Sequence, residues 1–342
     1  ARLFIDGEEL IDNWTETTPG EAFFSFSSES KKAAVDLVKG ETYKLEIRYK
    51  FEGNFPAIYI GCQAPDKVNL FDEALSIASS ADQVILIVGT NSDWETEGND
   101  RSDFNLPVNQ NYLIEEVLKV NPNTLVVLNT GSPVKMPWVD KAKAIIQTWF
   151  AGQEFGNALV DIVTGIINPS GRLPTSFPKN IEDTPAFSSY PGKDLQMNYD
   201  EKLLVGYRWY DKKNIQTLFP FGYGLSYTEF EYTDLEVEVG AEKHVSCKFS
   251  LQNIGQVAGL ETPQCYVGFI TDDDSEPNKT LQGFSKVALD PGDKSIVQIN
   301  LNPRNFASWN IETKTWEVRP GSYDILVGSS AENIILKTTI NL

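Results

Sequence analysis

The sequence predicts a multidomain protein of α/β plus β class: a β-rich start, a central α/β sandwich on a largely parallel sheet, and a β-sandwich at the end. Three observations predict it. The 342 residues exceed what one ordinary core accommodates, so two or three domains are expected. Apolar runs between residues 84 and 149 alternate with helix-spaced apolar residues, the pattern of βαβ units. From about residue 230, period-two segments are punctuated by turn clusters such as Pro291-Gly292-Asp293, as in a sandwich of short strands.

Residues 1–65 read as the C-terminal part of a β-rich sandwich. Leu3-Phe4-Ile5 runs into the turn Asp6-Gly7, and Ala22–Ser27, the alternating Tyr43–Tyr49 and Ala57–Ile60 supply further short strands. These are too few to close a sandwich by themselves. Residues 66–229 read as the α/β domain. Leu70, Phe71, Ala74, Leu75 and Ala78 fall at helical spacing. Val84–Val88 is a continuous apolar run, read as a buried parallel strand. Leu113, Ile114, Val117 and Leu118 mark a second helix, Thr124–Leu128 and Ala144–Trp149 two more strands. Phe155, Leu159, Ile162 and Val163 mark a third helix, stopped by Gly165. Residues 175–225 are irregular and rich in aromatics, Gly and Pro; a long ordered loop of this kind is functional or clamps domains together. In residues 230–342, Leu235–Val239, Val245–Leu251, Gln264–Ile270, Lys294–Leu301 and Tyr323–Val327 read as strands, among about seven in all.

Composition removes several function classes. Hydrophobic residues at 41% and charged residues at 23% describe a globular protein. No run approaches the roughly 18 apolar residues of a membrane span. A net charge of −19 disfavours nucleic acid and anionic membrane surfaces as partners. Cys62, Cys247 and Cys265 have neither metal-site spacing nor a disulfide framework, and each reads as a small buried hydrophobe. A single histidine, His244, in a strand-like stretch leaves almost no room for a His-based triad or a zinc site. No metal or organic cofactor is expected. Ala1 already stands inside a strand pattern and no targeting segment is visible, so the chain reads as a fragment or processed chain. Asn13-Trp14-Thr15 and Asn278-Lys279-Thr280 are glycosylation sequons, too short to decide between a secreted and a cytoplasmic location.

The richest stretch is Trp94-Glu95-Thr96-Glu97-Gly98-Asn99-Asp100-Arg101, just beyond the Val84 strand. A carboxylate-dense loop at the end of such a strand is where α/β proteins usually keep their chemistry. Glu95 and Glu97 flank Thr96 beside Trp94. An apolar wall and a neighbouring like charge both disfavour ionisation, which is how a carboxylic acid is kept protonated. Glycosidic bond cleavage requires such a general acid. The competing reading is two solvated loop carboxylates, with Asp100 and Arg101 as an ion pair fixing the loop. Asp93 is set aside as a nucleophile. Retaining glycosidases hold two carboxyl groups about 5–5.5 Å apart across the sugar, and side chains of one short loop rarely face each other so.

Trp149–Leu159 passes from strand to loop to helix and continues to Gly165–Pro174. It lacks the Gly-Lys-Ser/Thr ending of a phosphate loop, and Glu154 reads as compensating the helix dipole. Gly206–Asp211 and Phe219–Thr228 gather aromatics, suited to sugar stacking but more often a packed junction.

These elements, in this order, resemble the C-terminal half of glycoside hydrolase family 3. The family's acid/base loop, Glu-Gly-x-Asp-Arg, is matched by Glu97-Gly98-Asn99-Asp100-Arg101. Trp149–Pro174 and Phe219–Thr228 look like two further family signatures. Leu251-Gln252-Asn253-Ile254-Gly255, Ala258-Gly259 and Gln264-Cys265-Tyr266-Val267 resemble the appended fibronectin type III-like domain. The β-rich start looks like the tail of the protective-antigen-like sandwich that some members insert before the acid loop.

The resemblance implies a retaining β-glucosidase acting on terminal non-reducing β-D-glucosyl residues of cello-oligosaccharides, aryl glucosides and similar substrates. It implies Glu97 as general acid/base, with Glu95 the alternative if the loop aligns as Glu-x-x-Gly. It implies Trp94 on the aglycone side, and a nucleophilic aspartate on an N-terminal barrel that residues 1–342 do not contain. Two alternatives stay open: a non-catalytic carbohydrate-binding or scaffold protein, and a family relative with β-xylosidase or N-acetylglucosaminidase specificity. The expected partner is a carbohydrate, and a homo-oligomer is left open.

Overall fold

The computed structural model describes residues 1–20, 27–51, 56–63, 69–97, 100–101 and 103–342. The backbone divides into two units, residues 1–132 with 136–150, and residues 133–135 with 151–342.

The first unit opens on a three-stranded antiparallel sheet of order β2-β1-β3, built from β1 (Arg2–Ile5), β2 (Glu8–Asp12) and β3 (Leu45–Arg48). Asp6 and Gly7 both take positive φ, 48° and 89°, the two-residue hairpin turn for which Asp-Gly is suited. Register aligns Leu3 with Ile11 and Ile47, and Arg2 with Asp12 and Arg48, so the sheet has an apolar and a polar face. On the polar face the Thr15 hydroxyl, with the Thr15 and Trp14 amides and Arg2, holds the Asp12 carboxyl well below its ordinary range. On the apolar face Leu45 and Ile47 stay exposed. Ala57–Ile60 is not a strand. The Tyr49 hydroxyl occupies both the carbonyl and the amide of Ala57, donating to one and accepting from the other. Of the strand expected at Ala22–Ser27, residues 22–26 lie outside the described residues. Cys62 is exposed, against the expectation of burial.

The same unit carries a parallel sheet of order β4-β5-β6: β4 (Val84–Gly89), β5 (Thr124–Asn129) and β6 (Ala144–Gln147). Central β5 buries Val126, Val127 and Leu128 completely, as a parallel strand covered on both faces must, whereas β4, expected to be buried, stands at the edge of this sheet with Ile85 and Ile87 half exposed. The third strand stops two residues short of Trp149, because Trp149 takes a positive φ of 55° and turns the chain out of the ladder. Helix α1 (Leu70–Ser80) starts at Asn69, whose side chain accepts from the Phe71 amide. Helix α2 (Gln110–Val120) buries Ile114, Val117 and Leu118. The two helices meet through stacked Phe71 and Tyr112 rings, 5.2 Å between centroids. Buried Asn121 donates to the carbonyls of Ala78 and Ala81, satisfying the end of α1 that no glycine caps. No helix among the described residues is long and apolar enough to cross a membrane.

The second unit begins with α3 (Phe155–Val163), with Glu154 at its N-cap, where the carboxylate accepts from Asn157. Gly165, at φ 75°, follows its end. Within the segment expected to be irregular lies α4 (Tyr207–Lys213), closed by Asn214 in the left-handed region. Its Tyr-Arg-Trp-Tyr composition carries weak helix propensity, so its order comes from packing.

A sandwich of short strands completes the unit: β7 (Phe230–Val239), β8 (Val245–Asn253), β9 (Gly259–Glu261), β10 (Gln264–Phe269), β11 (Thr280–Phe284), β12 (Val287–Leu289), β13 (Lys294–Leu301), β14 (Ala307–Asn310), β15 (Thr315–Val318), β16 (Ser322–Gly328) and β17 (Ile334–Asn341). Sheets β13-β8-β7 and β11-β10-β16-β17 enclose one core, in which Cys247, Phe249 and Leu251 join Cys265, Ile325 and Val327. His244 is exposed in the turn before β8 rather than in a strand. Strand β10 is buried on both faces, because Tyr207 and Phe221 pack over outward-facing Tyr266 and Leu326. Those aromatics are therefore packing groups, with Tyr207 and Phe221 stacked at 4.7 Å. Deeper still, Arg172 and Glu261 form an ion pair at 2.7 Å, their side chains only 9% and 5% exposed. Tyr232 also donates to Glu261.

Buried tyrosines make this unit sensitive to alkali. Burial pushes Tyr210 up to about 12, and, with smaller charge contributions, raises Tyr232 and Tyr266 further. An unfolded tyrosine ionises near about 10, so above that pH the unfolded chain holds fewer protons than the folded one and stability falls as pH rises. Urea unfolding between about pH 8 and 11 should show a falling midpoint, with tyrosinate absorbance appearing only on unfolding. A flat midpoint, or early titration of these tyrosines in the folded chain, would contradict this.

Candidate active site

The site is built on the end of β4. Gly89 closes the strand where a side chain would run into the Asn129 carbonyl of β5. Gln110, the first residue of α2, pins the same point: its side chain accepts from the Gly89 amide at 2.8 Å and donates to the Gly89 carbonyl at 2.9 Å. The chain then folds tightly, with the amides of Trp94 and Glu95 both donating to the Asn91 carbonyl, at 3.0 and 2.9 Å. A shallow cavity of about 400 Å³ opens beside this turn, lined by Trp94, Thr90, Asn91, Val108 and Asn129 among others.

The two loop glutamates have opposite surroundings. Glu95 is drawn inward, its side chain 13% exposed. Its Oε1 accepts from Thr90 Oγ1 at 2.8 Å and from Ser132 Oγ at 3.3 Å. The Arg101 guanidinium stands 3.8 Å from the same oxygen and donates to Ser132 Oγ at 2.7 Å. Glu97 is exposed and makes no hydrogen bond to the described residues. Trp94 is 38% exposed. Asp93 and Asp100 are exposed on the same loop.

Two sequence readings are thereby revised. The glutamates are not an equivalent solvated pair, since one is bound into the framework. Arg101 pairs with Ser132 and Glu95 rather than with neighbouring Asp100, because those two groups offer it partly buried acceptors. Thr90, Ser132 and Gln110 were not singled out from the sequence. Ser132 follows β5 as Thr90 follows β4, and loops after adjacent parallel strands converge at the carboxyl edge of a sheet; that rule was the available signal. Among the described residues no three of His, Cys, Asp and Glu are grouped to hold a metal ion.

Known proteins share this architecture. Residues 8–227 match the glycosyl hydrolase family 3 C-terminal domain, and residues 261–331 a fibronectin type III-like domain. The chain is 42% identical to thermostable β-glucosidase B of Acetivibrio thermocellus over 276 residues, 80% of this chain and 37% of that protein. It is 38% identical to a β-glucosidase of Rhizobium radiobacter, over 100% of this chain and 43% of that protein. The crystal structure of a β-glucosidase from Kluyveromyces marxianus superposes with a TM-score of 0.91 at 34% identity, covering 100% of this chain and 42% of that one; the same enzyme's complex with glucose gives 0.88 at 32% identity, with the same coverage. The chain thus spans about two fifths of the relatives it matches. An α/β domain on a parallel sheet, followed by a fibronectin type III-like sandwich and matched over most of its length, places this chain in glycosyl hydrolase family 3.

Proposed function

We propose that the full-length protein is a retaining β-glucosidase acting on terminal non-reducing β-D-glucosyl residues, and that this chain supplies its general acid/base, Glu97. The nucleophilic carboxylate lies on a domain outside these 342 residues. It attacks the anomeric carbon to form a glycosyl-enzyme while Glu97 protonates the departing oxygen; Glu97 then takes a proton from the water that releases glucose. One observation carries the reading: of the two loop glutamates Glu97 is the one left exposed, whereas Glu95 is engaged by Thr90, Ser132 and Arg101. A general acid needs a carboxyl that can come within hydrogen-bond reach of the departing oxygen, and Glu97 has no partner among the described residues to give up first. Half-exposed Trp94 offers an apolar face to an aglycone.

In this reading residues 66–229 are the catalytic α/β domain and residues 230–342 the fibronectin type III-like domain. Residues 1–65 are the end of a protective-antigen-like sandwich, whose second layer would cover exposed Leu45 and Ile47. The test is Glu97→Gln beside Glu95→Gln in the full-length protein, on aryl β-glucosides of graded leaving-group ability. Loss that grows as the leaving group worsens, in Glu97→Gln, supports the assignment. The same signature in Glu95→Gln alone reverses it. Glucoside binding by the unmodified protein without turnover points to a binding module.

A further inference from the structure

We propose that Glu95 is a positioning residue: with Thr90, Ser132 and Arg101 it locks the loop that presents Glu97. This rests on the reading of Glu97 as acid/base. The lock joins three pieces of chain. Thr90 stands at the end of β4, Ser132 in the loop after β5, and Arg101 beyond Glu97. All three converge on Glu95 Oε1, at 2.8, 3.3 and 3.8 Å. Glu97 is thus bracketed in sequence by the two charged members of the cluster, Glu95 and Arg101. Both are mostly buried, 13% and 17% exposed, so their attraction is less screened than that of a surface pair. Arg101 Nε and Nη2 are buried without a hydrogen-bond partner, which leaves Glu95 as the carboxylate that compensates this guanidinium among the described residues.

Gly131 completes the arrangement. A methyl group there would overlap the Glu95 carboxylate and approach the Phe150 ring to 2.7 Å. Only glycine leaves room for the carboxylate beneath the loop. The chemistry explains the need. A general acid works only within hydrogen-bond reach of the departing oxygen, and a misplacement of about 1 Å costs on the order of a hundredfold. A loop anchored at one end only would not hold Glu97 to that tolerance.

The experiment uses the full-length enzyme and measures kcat, KM and product in the presence of azide. Glu95→Gln and Gly131→Ala should each lower kcat by about ten- to a hundredfold, with KM little changed and no glucosyl azide formed. Combining Gly131→Ala with Glu95→Asp should recover activity relative to Gly131→Ala alone, because the shorter side chain vacates the space the methyl takes. A protein merely destabilised by both changes would lose further activity instead. Wild-type kcat in Glu95→Gln, or additive losses in the double variant, overturns the positioning role while a leaving-group-dependent loss in Glu97→Gln leaves the acid/base reading standing. Glucosyl azide from Glu95→Ala would make Glu95 itself the acid/base and overturn both.

Discussion

Glu97→Ala in the full-length protein is expected to lower kcat on a β-glucoside with a poor leaving group by roughly 10²–10⁴-fold, the usual contribution of a positioned general acid or base. The loss has a structure that a damaged fold would not reproduce. An alkyl or cellobiosyl leaving group needs its oxygen protonated as the bond breaks, so glycosylation becomes slow. A dinitrophenolate leaves without a proton, so glycosylation stays fast and hydrolysis of the glycosyl-enzyme becomes limiting. A burst of dinitrophenolate should then precede a slow steady state, with an apparent KM below that of the wild type. Azide needs no base. It should attack the anomeric carbon of the accumulated intermediate, displace the nucleophilic carboxylate and yield β-glucosyl azide with a higher turnover rate. Equal loss on all leaving groups, without azide product, would remove Glu97 from the acid/base role.

Glu261→Ala should cause the largest loss of stability. The Glu261 carboxylate accepts from Arg172 at 2.7 Å and from the Tyr232 hydroxyl at 3.0 Å, in a place where both ionic side chains are nearly sealed from water. Removing one member of a buried pair leaves the other charge uncompensated, at a cost of about 3–5 kcal/mol. The only other hydrogen bond described for the guanidinium is the Gly171 carbonyl, at 3.1 Å. Hydrogen exchange in β7, β9 and β10 should accelerate by roughly a hundredfold to several thousandfold, the equivalent of that energy at about 1.4 kcal/mol per decade. Arg172→Met combined with Glu261→Leu should recover most of the protection, since an apolar pair of similar size removes the stranded charge. Acceleration below tenfold in Glu261→Ala would show that water reaches the site and that the pair is not a structural anchor.

Much of the fold was legible because it is written in local periodicity. Val84–Val88, Thr124–Leu128 and the apolar spacing of α2 each declare an element within a dozen residues. Elements whose order depends on a distant cover were not legible. Helix α4 has weak propensity and is held where Tyr207 packs with Phe221 and Tyr266. Ala57–Ile60 reads as a strand by composition, yet the Tyr49 hydroxyl takes the Ala57 backbone groups. Cys62 followed a residue-type average that its exposed position does not obey.

By itself the sequence determined the alternation of strands and helices, the all-β end, and the carboxylate loop at the end of an apolar strand. Each is a property of neighbouring residues. It ranked Glu97 above Glu95 only through the resemblance of Glu97-Gly98-Asn99-Asp100-Arg101 to a family loop; local chemistry gave the two carboxylates no different surroundings. The tertiary structure gave them different surroundings, Glu95 drawn inward and Glu97 exposed. Ser132, 37 residues from Glu95 along the chain, reaches it because adjacent parallel strands end side by side, and Arg101 follows it inward. Tertiary contact likewise decided that Arg172 would meet Glu261, 89 residues away. A charge withdrawn from water needs a partner wherever the fold places one, and neither periodicity nor spacing records which partner that is.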